Sequence, residues 1–401
     1  MRFNIEKRLG NGRGRAGVIE TPNGNIETPA YIVVGTKATV KALTPEQVLA
    51  VGTQAILANT YHLYLEPGEE VLKKAGGFQK FMNWSGPTFT DSGGFQAFSL
   101  GAAFNNKVGK IASNIDRDED LATQHNNALA KVDEDGVTFK SIIDGSSHRF
   151  TPERSMEIQH AIGADIMFAF DECTSPLAPH EYQKEAMDRT HRWAQRSLDY
   201  HRKNVTKNSS LLASQALFGI VQGGRFEDLR RESARIIGAM DFDGFGIGGS
   251  FDKEDLYTAV GWVADELPEG KPRHLLGIGE PVDLILGIEN GMDTFDCVVP
   301  TRIARNGTIY TKKGKIHIAN AEYKMDFSKL DEGCECYTCT HYSKAYVSHL
   351  FRVKEMLAST LGSIHNLYFL VNLVKNARKA ILDDTFEEYK TKFLAGYNRT
   401  V

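Results

Sequence analysis

Short runs of apolar, β-branched and aromatic residues alternate along the chain with longer stretches of helical periodicity. The strand-like runs fall at 31–35, 55–60, 88–91, 165–171, 216–222, 244–248, 274–279 and 294–299. Between them, EYQKEAMDRTHRWAQRSLDYHRKN (181–204) and FEDLRRESARIIGAM (226–240) carry the i, i+3, i+4 spacing of amphipathic helices. TPERSMEIQHAIG (151–163) opens on a Thr N-cap with Glu153 close behind it, which reads as a capping box. Eight strand–helix units in about 300 residues predict an α/β fold, an irregular (β/α)8 barrel. A doubly wound open sheet is the rival. It wants a Gly-rich phosphate fingerprint after the first strand, and VVGTKATV (33–40) is not one.

One segment breaks the order. Residues 104–136 are polar and weakly periodic, and are expected to form an insertion or lid-like loop. VTFKSIID (137–144) follows as an extra strand outside the barrel. The expected organisation is a catalytic barrel over 1–300 that carries this insertion, followed over 301–401 by a basic segment, a metal-binding subdomain and closing C-terminal helices.

Of the 401 residues, 41% are apolar and 24% charged, which excludes a disordered chain, a collagen and a disulfide scaffold. No apolar run approaches the ~18 residues of a membrane span, and MRFNIEKRLG lacks a signal peptide's apolar stretch. A cytoplasmic protein with no membrane partner is expected. The net charge of −4 hides an asymmetry: 301–401 carries 16 Lys and Arg against 10 Asp and Glu, while 1–300 carries 31 against 41. A basic quarter on an acidic body suggests a polyanion partner, or only a solvated basic surface.

In a (β/α)8 barrel the C-terminal strand ends share one mouth. Here they read NTYH, TDSGGFQ, FDECT, VQGG, IGGS, GIGEP and FDCVVPTR. Asp91, Asp171, Asp296, the Gln222 amide and the Gly pairs 93–94, 223–224 and 248–249 are therefore expected to converge. One Asp behind a strand is an ordinary helix N-cap; three in this company predict a site. Two carboxylates at one glycosidic carbon can serve as nucleophile and acid/base. A third, beside an amide and bare backbone N–H groups, suits the edge of a purine, with Phe95 on its face. A sugar-hydrolysing barrel fits the carboxylates nearly as well.

Cys334, Cys336 and Cys339 form C-x-C-x2-C, and His365 follows. Three thiolates and one imidazole close a tetrahedral structural zinc shell, with His341 and His349 as rival fourth ligands by spacing. Cys173 and Cys297 read as small packing residues. After the last strand, TRIARNGTIYTKKGKIHI puts Arg302, Arg305, Lys312, Lys313 and Lys315 near the mouth, where they can hold an RNA backbone.

Taken together, DSGGFQ, FDECT, FGIVQGG, GFGIGG, GIGEP, FDCVVPTR and C-x-C-x2-C…H resemble the queuine/archaeosine tRNA-ribosyltransferase family, specifically the bacterial tRNA-guanine transglycosylases. The resemblance spans nearly the whole chain. It implies a pentosyltransferase that exchanges guanine at the wobble position of tRNAs with GUN anticodons (Asp, Asn, His, Tyr) for a 7-deazaguanine, in queuosine biosynthesis. By this resemblance Asp296 is the nucleophile and Asp91 the general acid/base. Ser92, Gly93, Gly94, Phe95, Asp171, Gln222, Gly249 and Leu276 bind the base. Gly277, Ile278, Gly279, Glu280, Pro281, Val282 and Asp283, with Thr301, Arg302, Ile303, Ala304 and Arg305, contact RNA. Cys334, Cys336, Cys339 and His365 hold one structural Zn2+ per subunit, and a homodimer is expected.

Some positions depart from the bacterial pattern. Ser250, Phe251 and Asp252 stand where a Leu-x-Val-Gly-Glu-like run usually shapes the pocket around the 7-substituent. Leu276 replaces a frequent Met, and Glu280 stands where a Lys often contacts the anticodon. Cys173 fits the bacterial subgroup, which favours 7-aminomethyl-7-deazaguanine over queuine. A non-catalytic tRNA-binding subunit is the alternative from another class, and the retention of Asp91 and Asp296 argues against it.

Overall fold

The computed structural model describes residues 1–103, 130–205, 215–249 and 256–397. Eight parallel strands close into a barrel: β1 (Ala30–Val34), β2 (Ile56–Ala58), β3 (Thr88–Thr90), β4 (Ile166–Phe168), β5 (Ala216–Val221), β6 (Gly244–Ile247), β7 (Arg273–Leu275) and β8 (Thr294–Cys297). Each pairs with its neighbour in sequence, and β8 returns to β1 with Asp296 opposite Ile32. Closure rules out the open doubly wound sheet.

The strands read as unbroken apolar runs because both their faces are buried. Ile32, Leu57, Phe89, Phe168, Phe218 and Ile220 fill the barrel interior as one cluster. Tyr31, Val33, Ile56, Met167, Leu217, Phe245 and Leu275 point outward into the layer shared with the helices. Aromatic rings need room inside so narrow a barrel, and β6 supplies it. A Cβ at Gly244 would stand 2.5 Å from the Phe218 ring. Truncating Phe218 to Ala would cost about 3–5 kcal/mol.

The predicted helices form at Pro152–Ile162, His180–Val205 and Glu227–Ala239. The capping box expected at the first of these is absent. Thr151 does cap it, accepting from the Arg154 N–H, but Glu153 lies two residues on rather than three and cannot reciprocate. The box occurs instead at Thr44 and Gln47, which open the helix Pro45–Ala50. Residues 104–129 of the polar insertion lie outside the described residues. From 130 the chain forms an antiparallel sheet of Ala130–Asp133, Gly136–Lys140 and Ser147–Phe150, which contains the predicted extra strand.

One feature was not anticipated. An antiparallel meander, Arg2–Arg8, Arg15–Thr21 and Gly24–Thr28, precedes the barrel and adds Ile19 and Ile26 to its inner core. A buried ion pair of Arg15 with Asp293 (2.7 Å) ties it to the start of β8. The helix Met356–Leu382 packs on β1 and on the helix Pro281–Glu289. Its 27 residues are long and apolar enough to cross a membrane, yet 61% of its most apolar window is buried in the protein, as in a core helix.

Candidate active site and metal centre

The C-terminal strand ends surround a cavity of about 580 Å³. Asp91, Asp171, Gln222 and Asp296 all line it, with Ser92, Gly93, Phe95, Gly249, Leu276, Gly277, Gly279, Glu280 and Arg302.

Asp91 directly follows β3 and is held from the neighbouring strand end. Its Oδ1 accepts the N–H of Thr60 (2.8 Å) and of Gly93 (3.2 Å), and its Oδ2 accepts the Asn59 amide N–H. Asn59 also N-caps the helix Thr60–Leu65 through the His62 N–H, so one side chain fixes both a helix start and a carboxylate. The chain turns sharply at Gly93, where φ is +77° and a Cβ would meet the Phe150 ring at 3.0 Å.

Asp171, behind β4, is buried and receives two side-chain donors. Ser92 Oγ donates to Oδ1 (3.0 Å) and Gln222 Nε2 to Oδ2 (2.7 Å). The Oε1 of Gln222 is buried without a hydrogen-bond partner among the described residues. An acceptor buried in this way costs free energy until a donor arrives. The adjacent Glu172 turns away from the cavity to Arg189 and to the Tyr182 hydroxyl (2.8 Å), which anchors the loop.

Asp296 ends β8. Its Oδ1 accepts the Gly277 N–H at 2.8 Å and lies 3.0 Å from His274 Nε2. Close to Gln222, the fully buried Arg230 donates to the carbonyls of Gly224 (2.6 Å) and Gly248 (2.8 Å), clamping the loops after β5 and β6. Burial pulls its guanidinium down to about 9. His62 also lines the cavity, and burial with the nearby Lys37 and Lys41 charges holds its imidazole below the usual range.

The four buried metal-ligand candidates gather in the C-terminal region. The Sγ atoms of Cys334, Cys336 and Cys339 and a His365 ring nitrogen lie within 4.8 Å of one another. The Sγ to Nδ1 separations are 3.9, 3.4 and 3.3 Å, around the roughly 3.5 Å edge of a tetrahedral thiolate–imidazole zinc shell. His365 Nε2 donates to the Tyr310 carbonyl at 2.7 Å, which turns the bare Nδ1 toward the thiolates. The group fits a closed metal site. His341 and His349 are exposed, and His341 Nδ1 faces the Tyr337 carbonyl, so neither completes it.

A family model described as queuine tRNA-ribosyltransferase matches residues 11–399. The chain belongs to this family. It is 48% identical over 400 residues to a queuine tRNA-ribosyltransferase of Thermoanaerobacter pseudethanolicus, covering 99% of this chain and 98% of that protein. A protein of the same name from Fusobacterium nucleatum is 46% identical over 391 residues, covering 96% of each chain. One from Streptococcus pyogenes is 45% identical over 400 residues, covering 98% of this chain and 96% of its own. Membership makes the chain a transferase.

The remaining residues suggested by the family resemblance divide by exposure. Gly94 does not line the cavity; its N–H donates to Ser92 Oγ, fixing the hydroxyl that reaches Asp171. Ile278, Pro281, Val282, Asp283, Thr301 and Ala304 are buried, and Asp283 accepts the Tyr257 hydroxyl. Ile303 packs half-buried on the core, and Arg305 donates to the Thr301 carbonyl. Of the charged side chains in these two segments, Arg302, exposed, and Glu280, partly exposed, line the cavity. Cys173 and Cys297 both line the cavity. Ser250, Phe251 and Asp252 lie outside the described residues.

Sequence reasoning missed Asn59, His62, Arg230 and His274. Asn59 and His62 sit in the quoted NTYH and carried a signal. Arg230 looks like a surface charge on an amphipathic helix and carried none.

Proposed function

We propose that the chain is a tRNA-guanine transglycosylase. It exchanges guanine at the wobble position of tRNAs with GUN anticodons (Asp, Asn, His, Tyr) for 7-aminomethyl-7-deazaguanine, in queuosine biosynthesis. The observation that carries this is one cavity lined by two carboxylates, Asp91 and Asp296, beside the base-edge set of Asp171 and Gln222.

The wobble nucleotide is flipped into the cavity. Asp296 attacks the ribose C1′; the C1′–O bond forms as the C1′–N9 bond to guanine breaks. Asp91 gives the departing guanine its proton. After guanine leaves, Asp91 takes a proton from the incoming base, whose nitrogen displaces Asp296 from C1′. The proton balance closes over the two half reactions, and one covalent RNA–enzyme ester serves both. Asp171 and the orphan Oε1 of Gln222 accept N–H groups of the base edge, and Phe95 and Leu276 cover its faces.

Zn2+ is the proposed occupant of the Cys334, Cys336, Cys339 and His365 group. With all four positions protein-held it would brace the C-terminal region and take no part in the reaction. A second copy of the chain is the proposed partner beside tRNA, supported by the exposed apolar Met325, Phe327, Tyr337 and Met356. Sedimentation as a monomer at micromolar concentration would exclude it. The cytoplasm, where tRNA is found, is the proposed compartment.

Incubation with radiolabelled guanine and unmodified tRNA-Tyr tests the proposal. Label is expected in the RNA, and a covalent adduct on denaturing gels that Asp296→Asn abolishes. No incorporation, or an Asp296→Asn adduct of wild-type strength, would refute it. Competition between the aminomethyl base and queuine decides the preferred base.

A further inference from the structure

One ionisable side chain stands in the barrel interior directly under the cavity. His274, on β7, is fully buried. Its neighbours are aromatic: the Phe89 ring stacks at 5.6 Å and the Phe168 ring tilts against it at 5.2 Å. An imidazole here is costly unless both nitrogens are bonded. Both are. Nε2 lies 3.0 Å from Asp296 Oδ1, and Nδ1 lies 2.9 Å from Thr294 Oγ1. Thr294 and Asp296 are two residues apart on β8 and share its inner face, and Thr294 pairs with His274 across the strands.

We propose that His274 is a positioning residue that sets the orientation of the Asp296 carboxylate, and that Thr294 selects the imidazole tautomer that does so. The inference rests on the proposed role of Asp296 as nucleophile. A carboxylate only accepts, so Nε2 carries the hydrogen. A neutral ring then has its lone pair on Nδ1, and the Thr294 hydroxyl donates to it. Gly277 N–H donates to the same Oδ1 at 2.8 Å. Two donors on one oxygen, one from the middle of β7 and one from the turn that follows it, fix the carboxylate's rotation about Cβ–Cγ. A neutral donor suits the chemistry. An imidazolium would hold negative charge on the carboxylate just as attack on C1′ must draw it away. His274 moves no proton in either half reaction; it meets the carboxylate again when the ester breaks.

The test is steady-state exchange and single-turnover adduct formation in three variants. His274→Phe keeps the aromatic stack and deletes the donor. It is expected to lower kcat and the adduct rate about 10- to 100-fold, with KM for tRNA and guanine within about twofold of wild type. His274→Gln carries an amide N–H to the Nε2 position and is expected to recover most of that loss. Thr294→Val matches the shape without the hydroxyl and is expected to cost kcat about threefold to tenfold, since the tautomer is no longer selected. A side chain that only fills space would leave Thr294→Val at wild-type rate. Wild-type kcat in the Phe and Val variants, or a raised KM with unchanged kcat, overturns the proposal. If the Phe variant does not melt cooperatively, the Gln and Val variants decide. Asp296→Asn runs alongside: an adduct there removes the nucleophile assignment itself, whereas no adduct there with wild-type His274 variants removes only the positioning role.

Discussion

The Gln222 amide donates to Asp171 Oδ2 at 2.7 Å while its own Oε1, buried, bonds to nothing among the described residues. The pair therefore presents acceptors on both side chains, a match for the N–H-rich edge of guanine. Gln222→Ala removes one acceptor and loosens the other. KM for free guanine is expected to rise about 10- to 100-fold, the equivalent of one or two buried hydrogen bonds. The stability of the fold should change little. An unchanged KM in a guanine-exchange assay would remove Gln222 from base binding.

Asp91 and Asp296 line the same cavity but keep different company. Asp91 is held by Thr60, Gly93 and Asn59, and Asp296 by Gly277 and His274. If their roles differ as proposed, so do their Asn variants. Asp91→Asn is expected to slow exchange about 10²- to 10⁴-fold, the usual contribution of a general acid/base, yet still to accumulate adduct over long incubation. Equal loss of adduct in Asp91→Asn and Asp296→Asn would contradict the division of labour.

The barrel was legible because both strand faces are buried, which turns each strand into an apolar run, and because the residue after the run is so often polar. The N-terminal meander was not. In Arg2–Arg8 four of the seven residues are exposed, and RFNIEKR offers no run to see. His274 was hidden by its setting, since one histidine in RHLL reads as a satisfied core residue until Asp296 is found 3.0 Å away. The capping box failed on arithmetic, two residues where three are needed. Among the metal candidates, spacing alone left three histidines open, and burial separates them.

The Cys3His group gathers three buried thiols and one buried imidazole in the C-terminal region. Cys336 also caps the helix Tyr337–His341 through the Cys339 N–H. Cys336→Ala is expected to abolish the bound metal and to lower stability by at least about 4 kcal/mol, as loss of a structural metal does. Atomic absorption and thermal melting report the two effects, and zinc is the expected element. Full metal content in the variant would take Cys336 out of the ligand set.

His160 and His201 meet between the helices Pro152–Ile162 and His180–Val205, ring nitrogen to ring nitrogen at 2.9 Å. Burial, with His201 beside it, pulls His160 down to about 3, and burial also lowers His201. The folded state keeps both neutral, while the unfolded chain protonates them near pH 6.5. Their contribution is therefore fully present above pH 6.5 and is lost as pH falls toward 3. Each can cost up to about 1.4 kcal/mol per unit of pH in that window. His160→Phe, which keeps an aromatic ring beside Tyr200, is expected to flatten the acid limb of stability measured by urea unfolding between pH 6.5 and 4. A limb as steep as wild type would show that the pair does not titrate this way.

Glu280 puts a carboxylate on the rim of a cavity that is to receive a polyanion, and Lys315 answers it. Lys315 Nζ donates to Glu280 Oε1 at 2.8 Å from the hairpin of Thr308–Thr311 and Gly314–His317. Both side chains are partly exposed, so the pair itself adds little stability. Its effect is on the field at the mouth. Lys315→Ala uncovers the carboxylate against the RNA phosphates, and KM for tRNA is expected to rise about fivefold at low salt, about 1 kcal/mol. Glu280→Ala frees the ammonium and is expected to lower KM by a similar factor. The double variant should return near wild type, because both charges are gone together. All three differences should shrink in about 0.5 M salt as the Debye length shortens. Insensitivity of KM to either single change at low salt would mean that RNA does not pass this edge of the rim.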